Sequence, residues 1–254
     1  MKKITLKKTS LFLVIMVLIS AVFSPVCLAE EGVNEIVLTG DGAQFSCSGV
    51  SMSGGVLTIG APGIYSLSGS LANGQILVNV GKEERVTLVL NGVSLSCGAY
   101  PAIYLENADR LVIELAPGTE NTVTSGTPEM LENYSDTNSG AAIYGKDDIR
   151  VQGSGTLTVN GYINNGIATK NDLDINGSKV TVTAANNALK GTGSVEITDS
   201  YISVSCGNTA IRSDSSKTDK GYVNISGTSL VIASADDVIK ASGPVVVIPT
   251  TPAE

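Results

Sequence analysis

Residues 166–187 read GIATKNDLDINGSKVTVTAANN, residues 188–209 read ALKGTGSVEITDSYISVSCGNT, and the same pattern begins again at Ala210. Each copy opens with a small residue followed by an aliphatic one. A pair of aliphatic residues spaced two apart begins six residues later, and another pair follows after seven or eight more. Turns rich in Gly, Asn, Asp and Ser separate the pairs. Each copy therefore predicts three short strands of period two.

Five such copies follow one another with a nearly constant spacing. They begin at Ala142-Ile143, Gly166-Ile167, Ala188-Leu189, Ala210-Ile211 and Val238-Ile239, in steps of 24, 22, 22 and 28 residues. A three-strand unit of this size cannot bury its inward side chains alone, but copies stacked coil on coil can. The sequence therefore predicts an all-β parallel β-helix, a solenoid with about 22 residues per coil. A β-sandwich would place a strand every 8–12 residues or so, without this superimposed register.

The rest of the chain is organised around this repeat. Four lysines, an apolar run and a small-residue end are typical of a signal peptide, so we expect a secreted or extracellular protein, associated with the cell surface or released. The next strands are looser and are expected to cap the first coil. The predicted parts are a signal peptide (1–29), N-terminal capping strands (30–73), β-helix coils (74–247) with insertions at 116–139 and 213–221, and a Pro-rich tail (248–254).

Composition excludes several classes of function. Without the signal-peptide lysines the chain has 12 basic residues against 24 acidic ones, a net charge of −12. We therefore expect no binding to nucleic acid or, once the signal is removed, to a membrane through bulk charge. The chain has no His, which excludes a Ser-His-Asp triad and imidazole acid–base chemistry. It also has no Trp, which leaves its eight Tyr for stacking on sugar rings.

The small–aliphatic pair that opens each copy is called the anchor below. One outward position recurs directly after each anchor. Because in-register positions of successive coils lie above one another, these residues are expected to form a column with two aromatic and three cationic side chains. We interpret the column as a strip for an extended sugar chain, with Tyr against pyranose rings and Lys or Arg against carboxylates and hydroxyls. The alternative is a surface network neutralised by Asp214, Asp236 and Asp237. The column reads Tyr104, Tyr144, Ala168, Lys190, Arg212 and Lys240.

The turn before each anchor carries stacked amides. Asn164-Asn165, Asn186-Asn187 and Asn208-Thr209 occupy equivalent places, and Asp236-Asp237 follow on the next coil. Amides stacked in this way can hydrogen bond from coil to coil, which predicts a structural ladder. The two acids that break the ladder are candidate calcium ligands or, as a less favoured alternative, a carboxylate pair.

A second acidic cluster follows the anchor. Asp147-Asp148 and Asn171-Asp172 hold equivalent positions on adjacent coils, each preceded by a lysine. Carboxylates that stack so closely need a cation between them, which is either the lysines or a calcium ion. The residues alone leave both possibilities open.

Five segments have a distinctive sequence: GIYSLSG (63–69), VTLVLNGV (86–93), PAIY (101–104), AIYGKDD (142–148) and GSGTLTV (153–159). They resemble a family of exported bacterial carbohydrate-binding proteins, polysaccharide-lyase-like proteins that bind cellulose and acidic sugars. The resemblance implies a right-handed parallel β-helix, bound calcium, and polysaccharide binding rather than established cleavage. It favours calcium at the acidic clusters, with Asp147, Asp148, Asn171, Asp172, Asp214, Asp236 and Asp237 as candidate ligands.

These observations favour an exported, non-catalytic, calcium-stabilised protein that binds cellulose or acidic plant cell-wall glycans such as polygalacturonate. The first alternative is a calcium-dependent, pectate-lyase-like enzyme that cleaves by β-elimination, with Lys190, Arg212 and Lys240 as candidate bases. The second alternative is a structural adhesin or surface element, in which the solenoid serves as a spacer.

Overall fold

Strands of the predicted period build the structure. The computed structural model describes residues 32–98, 101–129 and 140–248, and the predicted signal peptide (1–29) lies outside them. Within the described residues the chain is all-β and forms a parallel β-solenoid of about 7 turns of roughly 25 residues. This confirms the predicted fold class. A search of the same residues finds no helix with the length and apolar character needed to cross a membrane.

The described residues contain 24 strands, most of them four to six residues long. They are β1 (Val33–Gly40), β2 (Ala43–Phe45), β3 (Val50–Ser53), β4 (Val56–Ile59), β5 (Gly63–Leu71), β6 (Gln75–Asn79), β7 (Arg85–Cys97), β8 (Ile103–Asn107), β9 (Arg110–Leu115), β10 (Glu120–Ser125), β11 (Ala141–Gly145), β12 (Asp148–Gln152), β13 (Thr156–Gly161), β14 (Asn165–Thr169), β15 (Asp172–Asn176), β16 (Lys179–Ala184), β17 (Leu189–Gly191), β18 (Ser194–Thr198), β19 (Tyr201–Cys206), β20 (Thr209–Ser213), β21 (Val223–Ser226), β22 (Ser229–Ser234), β23 (Asp237–Ala241) and β24 (Val245–Ile248).

The strands stack into three faces. One face is a nine-stranded sheet in the order β23-β20-β17-β14-β11-β8-β6-β4-β3. The other two faces are the arms of a second sheet, which meet in the long strand β7. Val86–Leu90 of that strand pair with β9, and Ser94–Cys97 pair with β10. Gly92 lies between the two parts with φ of 77°, a left-handed conformation that glycine adopts readily and that lets the strand turn from one face to the next.

The aliphatic residue of each anchor points into the core. In the first four copies this residue is fully buried, which contributes about 1.5–3 kcal/mol per side chain relative to leaving it exposed, whereas Ile239 of the last copy is only partly buried. The small residue before it fits a close approach between coils, since a Cβ on Gly166 would overlap the side chain of Val182 and the carbonyl oxygen of Ala188. The stacked core residues of the nine-stranded sheet include Ile103, Ile143, Ile167, Leu189 and Ile211.

The stretch 116–139 is not a continuous insertion, contrary to the expectation from its polarity. Glu120–Ser125 form β10, which pairs in parallel with β7 and β13. The strand escapes detection in the sequence because Asn121 takes an inward position and is only 1% exposed. Its Oδ1 accepts hydrogen bonds from the backbone N–H groups of Gly92 (3.0 Å) and Val93 (2.9 Å), which offsets the cost of burying the amide.

The segment predicted to cap the solenoid, 30–73, largely belongs to the stack. Strand β1 pairs in parallel with β5 along its whole length, and β5 pairs in parallel with β7. Two short strands differ, because β2 and β3 run antiparallel to β1 and β4. Antiparallel pairing at the first coils covers strand edges that would otherwise be free to pair with another chain.

The second insertion leaves the register intact. Ser213 still belongs to β20, and the turn that follows covers residues 214–222. Beyond it Arg212 pairs with Lys240, as the repeat predicts. The last strand ends at Ile248. The remainder of the predicted tail (249–254) and residues 130–139 lie outside the described residues.

Candidate functional site

The outward position after each anchor forms one continuous column on the nine-stranded sheet. Each residue of the column is the register partner of the next, so the strands set the spacing at about 4.8 Å per coil. The structure therefore brings together all the residues predicted to bind sugar, although the register by itself does not establish that role. The pairs are Tyr104 with Tyr144, Tyr144 with Ala168, Ala168 with Lys190, Lys190 with Arg212, and Arg212 with Lys240.

The aromatic end of the column is a stacked pair. The ring centroids of Tyr104 and Tyr144 are 5.9 Å apart and the ring planes differ by 22°. Lys146 lies with its Nζ 5.8 Å from the Tyr104 centroid and 2.6 Å from Oε1 of Glu106. Burial raises the pKa of both tyrosines above the ordinary value. The hydrogen bond from Lys146, followed by one from Tyr104, lowers the pKa of Glu106. Both rings are held in place as a platform.

A groove opens beside this platform, where the column has no side chain beyond Cβ. Ala168 lies between Tyr144 and Lys190, and the missing bulk leaves an open groove of about 430 Å³. The groove extends over four coils of the same face, from β11 to β20. Its lining is mostly polar and consists of Gly140, Tyr144, Asn164, Asn165, Ala168, Thr169, Lys170, Asn186, Asn187, Lys190, Thr192 and Arg212.

The predicted asparagine ladder forms part of this lining. Asn186 Nδ2 donates to Asn164 Oδ1 at 3.0 Å, and Asn208 Nδ2 donates to Asn186 Oδ1 at 2.9 Å. In the neighbouring column Asn187 Nδ2 donates to Asn165 Oδ1 at 2.8 Å. The ladder is confirmed. It also fixes the amide groups of the groove, a role that the sequence did not indicate.

Two buried polar atoms of the lining have no hydrogen-bond partner. One is Oδ1 of Asn187, a residue only 2% exposed, and the other is Nε of Arg212. The second ladder stops at Asn187 because the next residue in that column is Thr209, whose hydroxyl donates to Asn208 instead. Leaving such a group unpaired costs about 1–3 kcal/mol. Both atoms are also closed off from the groove, so contacts to a bound molecule fall to the exposed polar atoms of the lining.

The cationic end of the column is partly neutralised. Oδ2 of Asp214 lies 3.1 Å from Lys190 Nζ and 3.2 Å from Arg212 Nη2. Lys240 is farther along the column, mostly exposed, with its Nζ 3.7 Å from Asp237. The surface network considered as an alternative to sugar binding therefore exists at these three cations. It involves Asp214 and Asp237, while Asp236 is exposed and donates only its backbone N–H to Asn208.

The turn carboxylates predicted to bind calcium are held by cations of the protein itself. Arg110 Nη2 lies 2.9 Å from Asp148, and Lys220 forms a short ion pair with Asp172 that raises the pKa of the lysine. Ser194 also donates to Asp172 at 2.8 Å. Asp147 accepts hydrogen bonds from the backbone N–H of Asp148 and from Asn171.

This arrangement does not fit a calcium ion as it stands. A calcium ion is bound by about six to eight oxygen atoms. Here the carboxylates of Asp148 and Asp172 each face a basic side chain of the protein instead. No cluster of three or more His, Cys, Asp or Glu suited to a metal occurs in 32–98, 101–129 or 140–248. Calcium binding therefore stays a prediction for all seven candidate ligands, Asp147, Asp148, Asn171, Asp172, Asp214, Asp236 and Asp237. Sequence reasoning missed both cations, because Arg110 lies on the preceding coil and Lys220 reaches back from the turn at 214–222.

Most of the chain matches a known protein family. Residues 53–251 match the model of a family described as carbohydrate-binding domain-containing proteins. The chain belongs to this family. A relative from Acetivibrio thermocellus with that description is 43% identical over 136 residues, which are 54% of this chain and 48% of the relative. The chain thus spans about half the length of the curated relative it matches.

A solved structure shares the solenoid of this carbohydrate-binding-domain protein. It is that of a polysaccharide lyase-like protein from C. thermocellum, studied as a gadolinium derivative. The two are 33% identical with a TM-score of 0.69, and the alignment covers 85% of this chain and 99% of the other.

Proposed function

We propose that the protein binds a polysaccharide chain along the outer face of the nine-stranded sheet, with one stretch of the glycan in the groove at Ala168. The observation that carries the proposal is an open groove of about 430 Å³ that has the stacked tyrosine pair at one end and the partly exposed cations Lys190 and Arg212 at the other. Sugar hydroxyls both donate and accept hydrogen bonds, which suits the polar lining between these two ends. Membership of a carbohydrate-binding family supports this choice of ligand.

The remaining groups of the groove have complementary roles. The ring of Tyr144 is backed by Tyr104 and presents an apolar surface to a pyranose ring, as aromatic side chains commonly do. Lys190 and Arg212 are about one quarter exposed and supply positive charge at the other end of the groove. This polarity favours an acidic plant cell-wall glycan such as polygalacturonate, with cellulose as the neutral alternative.

Retention on insoluble polygalacturonate and on cellulose tests the proposal. Tyr144→Ala removes the stacking surface and is expected to weaken binding about fivefold, since aromatic contacts of this kind are worth about 1 kcal/mol. Lys190→Ala is expected to weaken binding to polygalacturonate more than binding to cellulose.

A matched control is available outside the groove. Tyr201 is exposed and Lys179 lies 5.6 Å from its ring centroid, which reproduces a tyrosine–lysine pair on another face. Tyr201→Ala and Lys179→Ala should leave retention unchanged. Equal losses from both pairs, or no retention of the wild-type protein on either glycan, would contradict a site in the groove.

The name of the structural relative also motivates a lyase as the second candidate function. In that case Lys190 or Arg212 would act as the base of a β-elimination, and Lys240 lies beyond the groove at the exposed end of the column. Release of unsaturated uronates, followed by ultraviolet absorbance, distinguishes cleavage from binding. Binding with no such release over a long incubation would leave the protein a binder alone.

Calcium dependence and export are separate proposals. The first requires calcium to displace Arg110 and Lys220 from the turn carboxylates of Asp148 and Asp172, and a chelator should lower the melting temperature if calcium contributes to stability. The pattern in residues 1–29 motivates the second, and the mature protein should then accumulate outside the cell. An unchanged melting temperature or purely intracellular protein would overturn the corresponding proposal without affecting the groove.

A further inference from the structure

Asp214 lies where the two cations of the groove meet. The same oxygen, Oδ2, is within 3.2 Å of both Lys190 Nζ and Arg212 Nη2. The turn after β20, residues 214–222, supplies this carboxylate, whereas the strands supply the cations. One negative charge from an inserted turn therefore opposes two positive charges that face the groove.

The pairing leaves Arg212 only partly used. A guanidinium group is a planar fork that can bind a carboxylate through two parallel hydrogen bonds. Here Nη2 faces Asp214, while 28% of the Arg212 side chain stays exposed in the lining of the groove. A second acceptor can therefore reach Arg212 from the groove, but its position would be next to the carboxylate of Asp214.

We infer that Asp214 is a built-in competitor that decides how strongly the groove prefers acidic over neutral glycans. The inference rests on the proposed function and adds to it the residue that sets selectivity. A uronate carboxylate that approaches Arg212 meets a like charge, which opposes its binding. A neutral sugar presents only hydroxyls to the same nitrogen and meets no such repulsion. The inserted turn thus tunes a cationic groove toward weaker and less exclusive binding of acidic chains.

The substitution Asp214→Asn keeps the size of the side chain and removes its charge. Its matched control is Asp174→Asn, which removes the same charge from an ion pair with Arg150 (2.9 Å) on the second sheet, away from the column. Titration calorimetry with an oligogalacturonate and with a cello-oligosaccharide measures both preferences. We expect Asp214→Asn to bind the oligogalacturonate at least about tenfold tighter, with a steeper dependence on salt, because it removes a like charge beside the bound carboxylate that solvent and salt screen only in part. Cello-oligosaccharide binding should stay within about twofold, and Asp174→Asn should match the wild type.

The outcomes separate this inference from the proposed function. Oligogalacturonate binding that Asp214→Asn does not tighten, or that Asp174→Asn tightens equally, overturns the role of Asp214 and leaves the groove as the binding site. If neither the wild type nor Asp214→Asn binds either glycan, both the groove and the inference are wrong. Circular dichroism checks that the variant is folded, and Asp214→Ser replaces it if the asparagine variant is not.

Discussion

The asparagine ladder offers a direct test of what holds successive coils together. Asn186 lies in the middle of the ladder, 8% exposed, where it donates to Asn164 at 3.0 Å and accepts from Asn208 at 2.9 Å. The substitution Asn186→Ala removes both hydrogen bonds without changing the backbone. Because each coil contacts mainly its neighbours, the loss is expected to act on the interface of these three coils.

The expected cost follows from the two bonds. A buried hydrogen bond contributes about 1 kcal/mol net, and a buried polar group left without a partner costs about 1–3 kcal/mol. Asn208 is half-buried and can turn toward solvent, which keeps its share at the lower end. We therefore expect Asn186→Ala to lower the free energy of unfolding by about 2–4 kcal/mol.

Urea unfolding followed by far-ultraviolet circular dichroism and tyrosine fluorescence measures this change. Asn176→Ala is the matched control, because Asn176 is exposed and makes a single hydrogen bond to Thr198 at 2.7 Å. We expect it to cost less than about 1 kcal/mol. If Asn186→Ala costs no more than Asn176→Ala, stacking of the aliphatic core alone holds the coils and the reasoning about the ladder is wrong.

Three further predictions concern other parts of the solenoid. Gly153→Ala should destabilise the folded protein strongly, because at φ 100° the added Cβ would overlap the backbone of the previous coil. Gly177→Ala, at φ 60° in open space, should cost about 1 kcal/mol or less. Equal melting temperatures of the two variants would contradict this. Iodoacetamide should label Cys47 before Cys206, whose burial protects the thiol and raises its pKa, and mass spectrometry of peptides would reveal the opposite order. The raised pKa of Tyr144 means that folding favours the neutral form of this side chain. Its contribution to stability is therefore present below the ordinary pKa of 10 and is lost as pH rises through the folded pKa. Tyr144→Phe should reduce the loss of stability at alkaline pH, and an unchanged loss would refute this.

The tertiary structure adds charged partners to groups that the sequence placed together. Asp147, Asp148, Asn171 and Asp172 suggested a calcium site because they are acidic or polar and stack in register. Once folded, Asp148 faces Arg110 and Asp172 faces Lys220, from distant parts of the chain. The net charge around a turn carboxylate depends on the side chains that contact it from a neighbouring coil or from an inserted turn. A periodic sequence pattern does not predict the contacts of an inserted turn.

The sequence alone determined the solenoid and the column on its outer face. Small and aliphatic residues at a fixed spacing are buried when successive coils stack in register. This register then places the residues from Tyr104 to Lys240 in one line. Only the tertiary structure showed that the polar stretch contains β10. Asn121 can take a core position there because backbone N–H groups of another coil donate hydrogen bonds to it. It also decided that the column opens into a groove at Ala168, with Asn187 and Arg212 left partly unpaired. Those features depend on hydrogen bonds and empty space between coils, which residues far apart in the chain create together.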